Sequence, residues 1–376
     1  MHVALVSPHA VWPVHGADTL RTSQLARELR ELGVDVTVLA LSWFPDDVKV
    51  AGSVLVPGRP ASAPAKALRR LELAIRERSD PWAGHRLPGA RRRMAAAIVD
   101  TRPDVVDFQH TFMWQSTAAP SVLTLHNVES DRLRRFGALP ARTVHTVTEM
   151  ERAAIRNATA AVVFSEEDAV RTRALHDRLV HVVPIGVDPG ARLPAPRDTV
   201  TTAAYVGTFN YPPNAQAAAL LLEEWPRIKA AGRLDRLVFV GRNADAFITA
   251  SADVEVRSDV PDVPAALADA DVLLVPLVSG GGVRVKIIEA FALGLPVVST
   301  ALGIEGLGAR DGVHAIIVDR PDEMAGAIAR LQPVGLRRVL ADNARRLWEE
   351  QFSPRQMAEQ MLEVYADAAA LAARPA

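Results

Sequence analysis

Residues 279–307 read SGGGVRVKIIEAFALGLPVVSTALGIEGL, and the run opens with residue types suited to holding an anion. Gly280, Gly281 and Gly282 can take positive φ and let a ligand approach the backbone closely. They lead through Val283 into a helix with Val285, Ile288, Phe291 and Ala292 on one face. Its first N–H groups have no intrahelical acceptor and attract negative charge. Arg284 and Lys286 lie in that first turn, where the helix dipole disfavours cations. Two charges set against the dipole point to a ligand with several anionic oxygens. Glu289, three residues past Lys286, reaches the same mouth. The alternative is an ordinary helix carrying a Lys286–Glu289 surface pair.

These groups must be positioned by strands. Residues 270–276 form a buried-looking strand into the glycines, the helix stops at Gly294, and 296–299 reads as the next strand. At the start of the chain, 2–7 is a strand, 17–32 a helix ending at Gly33, and 34–39 a second strand. This strand–loop–helix–strand opening is a Rossmann-like unit. Its loop lacks the GxGxxG pattern, which argues against a nicotinamide or flavin dinucleotide. Residues 103–108 form a strand delivering Gln109 and His110 at its C-terminal end, where open α/β sheets bind ligands. A strand at 122–125 delivers His126, Asn127 and Glu129, and one long helix is expected from about 131 to 157. Further strands fall at 161–165, 181–184, 203–206, 237–240 and 314–318, with helices near 220–228, 264–269, 321–330, 334–350 and 354–372.

Composition narrows the classes. The chain has 376 residues, enough for two domains, and a formal net charge of -1, so nothing marks it as a nucleic-acid binder. With no cysteine it has no disulfide, thiolate metal site or cysteine nucleophile. No apolar run approaches 18 residues and no basic leader precedes the first strand, so a soluble cytoplasmic protein is expected. Residues 59–93 stand apart, with ten basic against three acidic side chains. Leu68, Leu71 and Ile75 give this stretch an apolar stripe, so it reads either as a solvated helix or as a peripheral contact with anionic lipid at the inner face of the membrane. Asp269-Ala270-Asp271 imitates an Asp-x-Asp metal site but ends a helix and enters a strand at the edge away from the glycines, so Asp271 reads as a turn residue and no metal is expected.

The glycine run, the basic pair and Glu289-Ala290-Phe291-Ala292 with Gly294 and Pro296-Val297-Val298 resemble the signature of the family 4 retaining glycosyltransferases of the GT-B fold. The resemblance implies two Rossmann-like doubly wound α/β domains facing across a cleft, with a C-terminal helix crossing back to the first. It implies a nucleoside diphosphate sugar as co-substrate, no other cofactor, and Glu289 on the ribose hydroxyls. It also makes Gly16 the first-loop glycine near the donor phosphates and His110 the neighbour of the donor sugar. His126, Asn127 and Glu129 then line the acceptor side, where His9 and His15 are also candidates. In the second domain it places Gly207, Thr208 and Asn210 in the loop at the donor, Val260 in a 257–263 loop whose backbone reads the nucleobase, and 303–306 over the phosphates. Family members usually grip the diphosphate with an arginine and a lysine in or after the 207–214 loop. This chain has neither there, leaving Arg284 and Lys286, with Arg242 as an auxiliary.

One departure stands out: the family has two glutamates eight positions apart, and the first falls on Gly281. The expected organisation is an acceptor-binding domain at 1–188, a Pro-, Ala- and Arg-rich linker at 189–200, a nucleotide-sugar-binding domain at 201–353, and a crossing helix and tail at 354–376. The expected activity is metal-independent sugar transfer with retention to an envelope glycan or natural product. The rival is an inactive sugar-nucleotide-binding subunit supporting a partner enzyme.

Overall fold

The computed structural model describes the chain except for residues 15, 45–46, 59–81, 83–84, 137–139, 178–179, 189, 191–192, 194 and 374–376. His15 and most of the basic 59–93 segment therefore lie outside the described residues. The chain divides into two compact units, residues 1–186 with 354–376, and residues 187–353.

In the first unit, β1 (His2–Ser7), β2 (Asp35–Ser42), β3 (Ser53–Pro57), β4 (Val105–Gln109), β5 (Ser121–Thr124), β6 (Ala160–Val163) and β7 (Val180–Val182) form one sheet. The order is β3-β2-β1-β4-β5-β6-β7, all pairs are parallel, and Val3 lies between Val36 and Val105. Both faces of such a sheet are covered, so its strands are apolar throughout rather than alternating. Val3 and Leu5 face one core with α1 (Ala17–Glu31), and Ala4 and Val6 face the other with α2 (Pro88–Thr101).

The 131–157 stretch is two helices, α3 (Glu129–Phe136) and α4 (Ala141–Asn157), rather than one. Pro140 is the N-cap of the second, and a proline there breaks a continuous hydrogen-bond ladder. Helix α5 (Glu166–Leu175) follows β6.

The second unit has β8 (Thr202–Val206), β9 (Arg236–Gly241), β10 (Val254–Ser258), β11 (Val272–Val275), β12 (Val297–Thr300) and β13 (Ile316–Val318), ordered β10-β9-β8-β11-β12-β13 and again all parallel. Helix α6 (Pro212–Gly232) is far longer than its 220–228 apolar stretch suggests. Pro212 and Pro213 sit in its first turn, where no N–H is needed. Helix α7 (Ala244–Phe247) and the short α8 (Val263–Ala266) precede α9 (Val285–Leu293), α10 (Met324–Arg330) and α11 (Val334–Gln351).

In each sheet the connections run outward in opposite directions from one adjacent pair, β1 and β4 in the first, β8 and β11 in the second. Such a switch point leaves a crevice at the C-terminal strand ends, where doubly wound sheets bind ligands. The loops after these four strands carry Gly16, His110, Gly207 and the glycine run.

The last helix, α12 (Pro354–Ala372), belongs to the first unit and buries Met357, Met361, Val364 and Tyr365 in the same core as α1. Its Tyr365 hydroxyl donates to Asp107 Oδ2 at 2.7 Å, and Thr124 donates to Oδ1 at 2.7 Å. Asp107 is fully buried, and burial raises its pKa against the pull of Arg21 and these hydrogen bonds. Removing one donor from a buried carboxylate costs about 1–3 kcal/mol. Tyr365→Phe should therefore lower the unfolding free energy in urea by about that amount while leaving the far-ultraviolet circular dichroism of the native protein unchanged. An unaltered urea midpoint would show that α12 is held by apolar contacts alone.

Candidate functional site

The glycine loop follows β11. Its entry is pinned by Thr300, whose hydroxyl donates to the Leu277 carbonyl at 2.6 Å, and by a Ser279–Gln216 side-chain bond of 2.7 Å. Gly280 (φ 109°) and Gly282 (φ 72°) have left-handed backbones that disfavour any side chain. Arg284 is the N-cap of α9 and is 8% exposed. Its guanidinium turns back, donating to the Gly281 carbonyl at 2.7 Å and to the Gly282 carbonyl. In a planar trans peptide the N–H points opposite to the carbonyl. The amides of Gly282 and Val283 thus project away from Arg284, and among the described residues neither donates to a protein acceptor. Outward amides beside a helix N-terminus are groups that attract negative charge.

Lys286 and Glu289 are both half-buried, so the pair is not a solvated surface bridge. The Lys286 ammonium donates to Asn214 Oδ1 at 2.9 Å and to the Tyr205 hydroxyl at 3.1 Å, and lies 4.2 Å from the Tyr205 ring centre. Burial pushes its pKa down to about 7; Arg284 adds to this and Glu289 opposes it. Burial pushes Glu289 up to about 7, with Lys286 holding it back. An anion arriving at Lys286 would favour the protonated ammonium.

The other second-unit candidates surround the same switch point. Gly207 ends β8 against Gly241, where a Cβ would come within 2.0 Å of the Gly207 carbonyl oxygen, so a side chain there would force the two loops apart. Phe209 N–H donates to the Arg242 carbonyl at 2.9 Å, and Asn214 Nδ2 to the Thr208 carbonyl at 3.0 Å. Asn210 is exposed, while Thr208, Arg242 and Val260 are half-buried. Val260 follows Asp259, whose N–H donates to the Gly241 carbonyl at 3.1 Å. Gly303 packs on the ends of β11 and β12, with Ser299 Oγ 2.4 Å from where its Cβ would stand.

Asp269 and Asp271 are committed elsewhere. Arg257 grips Asp269 through two bonds of 2.8 Å, and these hold its carboxyl down at about 2. Asp271 accepts from Arg197 at 2.8 Å and from the Thr201 and Thr202 amides at 2.8 and 2.9 Å. It thereby clamps the entry to β8 at the opposite strand end from the glycine loop. Among the described residues no group of three or more histidine or acidic side chains is arranged to hold a metal ion.

In the first unit, His110 follows β4 with φ 80°, a strained backbone for a non-glycine residue. Its ring stacks on His126 at 4.0 Å and on Phe112 at 5.0 Å, and Nε2 is 3.9 Å from Asp18 Oδ2. Burial lowers its pKa to about 4 against the pull of Asp18, so the imidazole is neutral at physiological pH. Gly16 is extended, and a Cβ on it would meet only the Asp18 carboxylate. Asp18 thus stands close to both Gly16 and His110.

His126 bonds Gln109 Oε1 at 3.0 Å, and buried Arg21 donates to the same oxygen at 2.9 Å. Glu129 is drawn to Arg132, while Glu151 accepts the Glu129 and Ser130 amides at the start of α3 at 2.5 and 2.9 Å. His9 packs edge-on against His85. Of the basic segment, Arg91 donates to the Trp114 carbonyl and Arg93 to the Pro57 carbonyl, while Arg92 is exposed.

Asp18 beside His110 and Arg21 on Gln109 in the first unit, and Tyr205 and Asn214 on Lys286 in the second, are partners that the sequence did not single out. Asp18 and Arg21 lie on one helix directly after the first loop, and that placement was the available signal.

Two family models match the chain. Residues 20–191 match the Glycosyltransferase Family 4 model, and residues 201–332 match that of the Glycosyl transferases group 1. No curated relative matches the sequence. Among solved structures, sucrose-phosphate synthase from Thermosynechococcus elongatus is similar at a TM-score of 0.74 and 18% identity, covering 97% of this chain and 98% of that one. Anabaena Alr3699/HepE in complex with UDP-glucose is similar at 0.68 and 14%, covering 97% and 99%. WaaG, a glycosyltransferase involved in lipopolysaccharide biosynthesis, gives 0.68 and 16%, covering 96% and 99%. At these identities the structures establish the fold, which is GT-B. The chain belongs to the group 1, family 4 glycosyltransferases.

The place of Asp271 gives a test. Asp271→Asn should cost about 2–3 kcal/mol of stability, since charge-assisted bonds to Arg197 and two amides are weakened. Ligand affinity measured well below the melting temperature should stay within about twofold of the parent, because a structural clamp at the far strand end makes no ligand contact. A large loss of affinity with unchanged melting would place Asp271 in the site.

Proposed function

We propose that the chain transfers a sugar from a nucleoside diphosphate donor to an acceptor, with retention and without a metal ion. The carrying observation is the glycine loop at α9, where outward amides stand at a helix N-terminus whose first turn also carries the Lys286 ammonium. Negative charge grows on the departing diphosphate as the glycosidic bond breaks, and fixed donors already aimed there stabilise it without reorganising. Arg284 then acts by holding the loop in shape as well as through its field. Glu289 hydrogen-bonds the ribose hydroxyls. In the first domain, which is assigned the acceptor, the neutral His110 imidazole is the candidate for meeting sugar hydroxyls.

Support for a UDP donor is limited to similarity, since Alr3699/HepE was solved with UDP-glucose. Retention is supported by the family resemblance, which implies that the leaving phosphate takes the acceptor proton. Metal independence is supported by the fixed cations at the loop and by the structural commitment of Asp269 and Asp271. Gly281, standing where the family has a glutamate, favours the second reading, an inactive sugar-nucleotide-binding subunit. Release of free nucleoside diphosphate from a donor sugar decides between them.

Charge-assisted bonds contribute about 1.5–3 kcal/mol each. Lys286→Ala should therefore weaken diphosphate binding by roughly 10- to 150-fold in calorimetry, with the fold intact. Glu289→Gln should weaken nucleoside diphosphate binding and leave inorganic pyrophosphate nearly unaffected. Equal diphosphate affinity in Lys286→Ala and the parent would falsify the assignment.

The pH dependence has a definite sign. Only protonated Lys286 attracts the diphosphate, and its pKa in the free protein is about 7. Affinity should fall as pH rises above about 7, approaching tenfold per unit until the higher pKa of the complex is reached. Below about pH 6 the terminal phosphate gains a proton and affinity should fall again. Turnover should persist after exhaustive chelation; activity lost with chelator and restored by magnesium or manganese would count against the metal-free reading.

A further inference from the structure

Lys286 is held from two other elements. Tyr205 faces it from the end of β8, and Asn214 from the first turn of α6. Asn214 is the hub: its Oδ1 accepts from Lys286 at 2.9 Å and from the Tyr205 hydroxyl at 2.9 Å, while its Nδ2 donates to the Thr208 carbonyl at 3.0 Å. The amide orientation is set by this pattern, since the oxygen meets two donors and the nitrogen an acceptor. Tyr205 is fully buried, and its ring and hydroxyl both contact the ammonium. Burial raises the Tyr205 pKa, so the phenol keeps its proton and donates it to Asn214. The Tyr205 oxygen lone pairs are then left for the ammonium.

We propose that Asn214 and Tyr205 are positioning residues for Lys286, fixing its ammonium between the loop after β8 and the glycine loop. Through the Asn214–Thr208 bond the same pair ties the shape of the 207–211 loop to the place of the charge. The consequence for binding rests on the diphosphate reading of Lys286; the positioning itself does not. Gly207 leaves room for the Asn214 side chain, since a Cβ on it would stand 3.0 Å from the Asn214 side-chain carbonyl carbon. A long Lys286 side chain without these two acceptors would sample several rotamers, and its charge would be spread over several ångströms.

The chain contains four lysines, so Lys286 can be followed directly by carbon-13 lysine labelling, with Lys286→Ala assigning its resonance. The charged groups acting on Lys286 are Arg284 and Glu289 from its own helix, with the phenol of Tyr205 facing it from β8. Asn214→Asp would place a carboxylate where the amide oxygen now accepts, and should move the Lys286 titration midpoint up by about one unit or more. Asn214→Ala and Tyr205→Phe each remove an acceptor and should move the midpoint down. In both, the chemical shift should lose its sensitivity to pyrophosphate added at pH 6.5.

Identical Lys286 midpoints in the parent and the three variants would overturn the positioning role. Should Asn214→Ala fail to fold, Tyr205→Phe and Asn214→Asp still give the comparison. If the midpoints move as stated but pyrophosphate perturbs the Lys286 resonance in no variant, including the parent, the diphosphate reading fails while the positioning role stands.

Discussion

A lysine ammonium drawn partly out of water at the positive end of a helix is unfavourable on two counts, desolvation and the dipole. It is tolerated here because acceptors reach it from two other elements, Asn214 of α6 and Tyr205 of β8. Much of the second unit serves that arrangement. The Gly207–Gly241 contact lets the loops after β8 and β9 lie together, and α6 starts with two prolines that bring Asn214 round in its first turn. The Ser279–Gln216 bond then joins α6 to the glycine loop. Arg284 removes a second unfavourable feature, since carbonyls turned toward a helix N-terminus would repel an anion. By gathering the Gly281 and Gly282 carbonyls onto its guanidinium, it leaves amides facing outward.

The first unit solves a related problem differently. Its buried charges, Arg21 and Asp107, are fully enclosed, and each is shifted toward its neutral form by desolvation while the other pulls back. Hydrogen bonds from Tyr365 and Thr124 satisfy the carboxylate, and Gln109 satisfies part of the guanidinium. The chain of contacts continues through His126 to the stacked His110. A buried network of this kind is sensitive to any missing member, because each remaining group is then left without a partner in a low-dielectric interior. The final helix supplies Tyr365 and Met361 to it, so residues 354–376 are part of the first domain in energetic as well as spatial terms.

Features that depend on local periodicity were legible in the sequence. Runs such as Val272–Val275 suit strands covered on both faces of a parallel sheet, and the glycine run foreshadows the left-handed backbones of Gly280 and Gly282. The Rossmann-like class of the first sheet followed from its strand–loop–helix–strand opening, while no strand was expected at the short runs of β3 and β10. Helix ends were less legible: Pro140 splits what apolar spacing suggested was one helix, and Asn214 belongs to a helix that starts eight residues earlier than its apolar stripe. Long-range side-chain partners were not legible at all. Lys286 lies 72 residues from Asn214 and Asp107 lies 258 from Tyr365, and no local rule links such positions. Arg284 and Lys286 stand out together against the helix dipole, but only the fold shows one guanidinium shaping the loop while one ammonium crosses to another strand.

The absent glutamate at position 281 has consequences that follow from charge and hydrogen-bond polarity. A glutamate there would accept hydrogen bonds from hydroxyl groups; a peptide loop with outward N–H groups donates them instead. Arg284 and Lys286 then act together with the Glu289 carboxylate, whose own pKa burial raises to about 7. Near neutral pH the balance of charge at the loop is therefore set by two groups titrating in the same range, each stabilising the charged form of the other. An arriving dianion favours the state with Lys286 protonated, and a charged Lys286 in turn favours ionised Glu289. Anion binding and the carboxylate that would meet neighbouring hydroxyls are in this way linked through one ammonium, whose place depends on Asn214 and Tyr205.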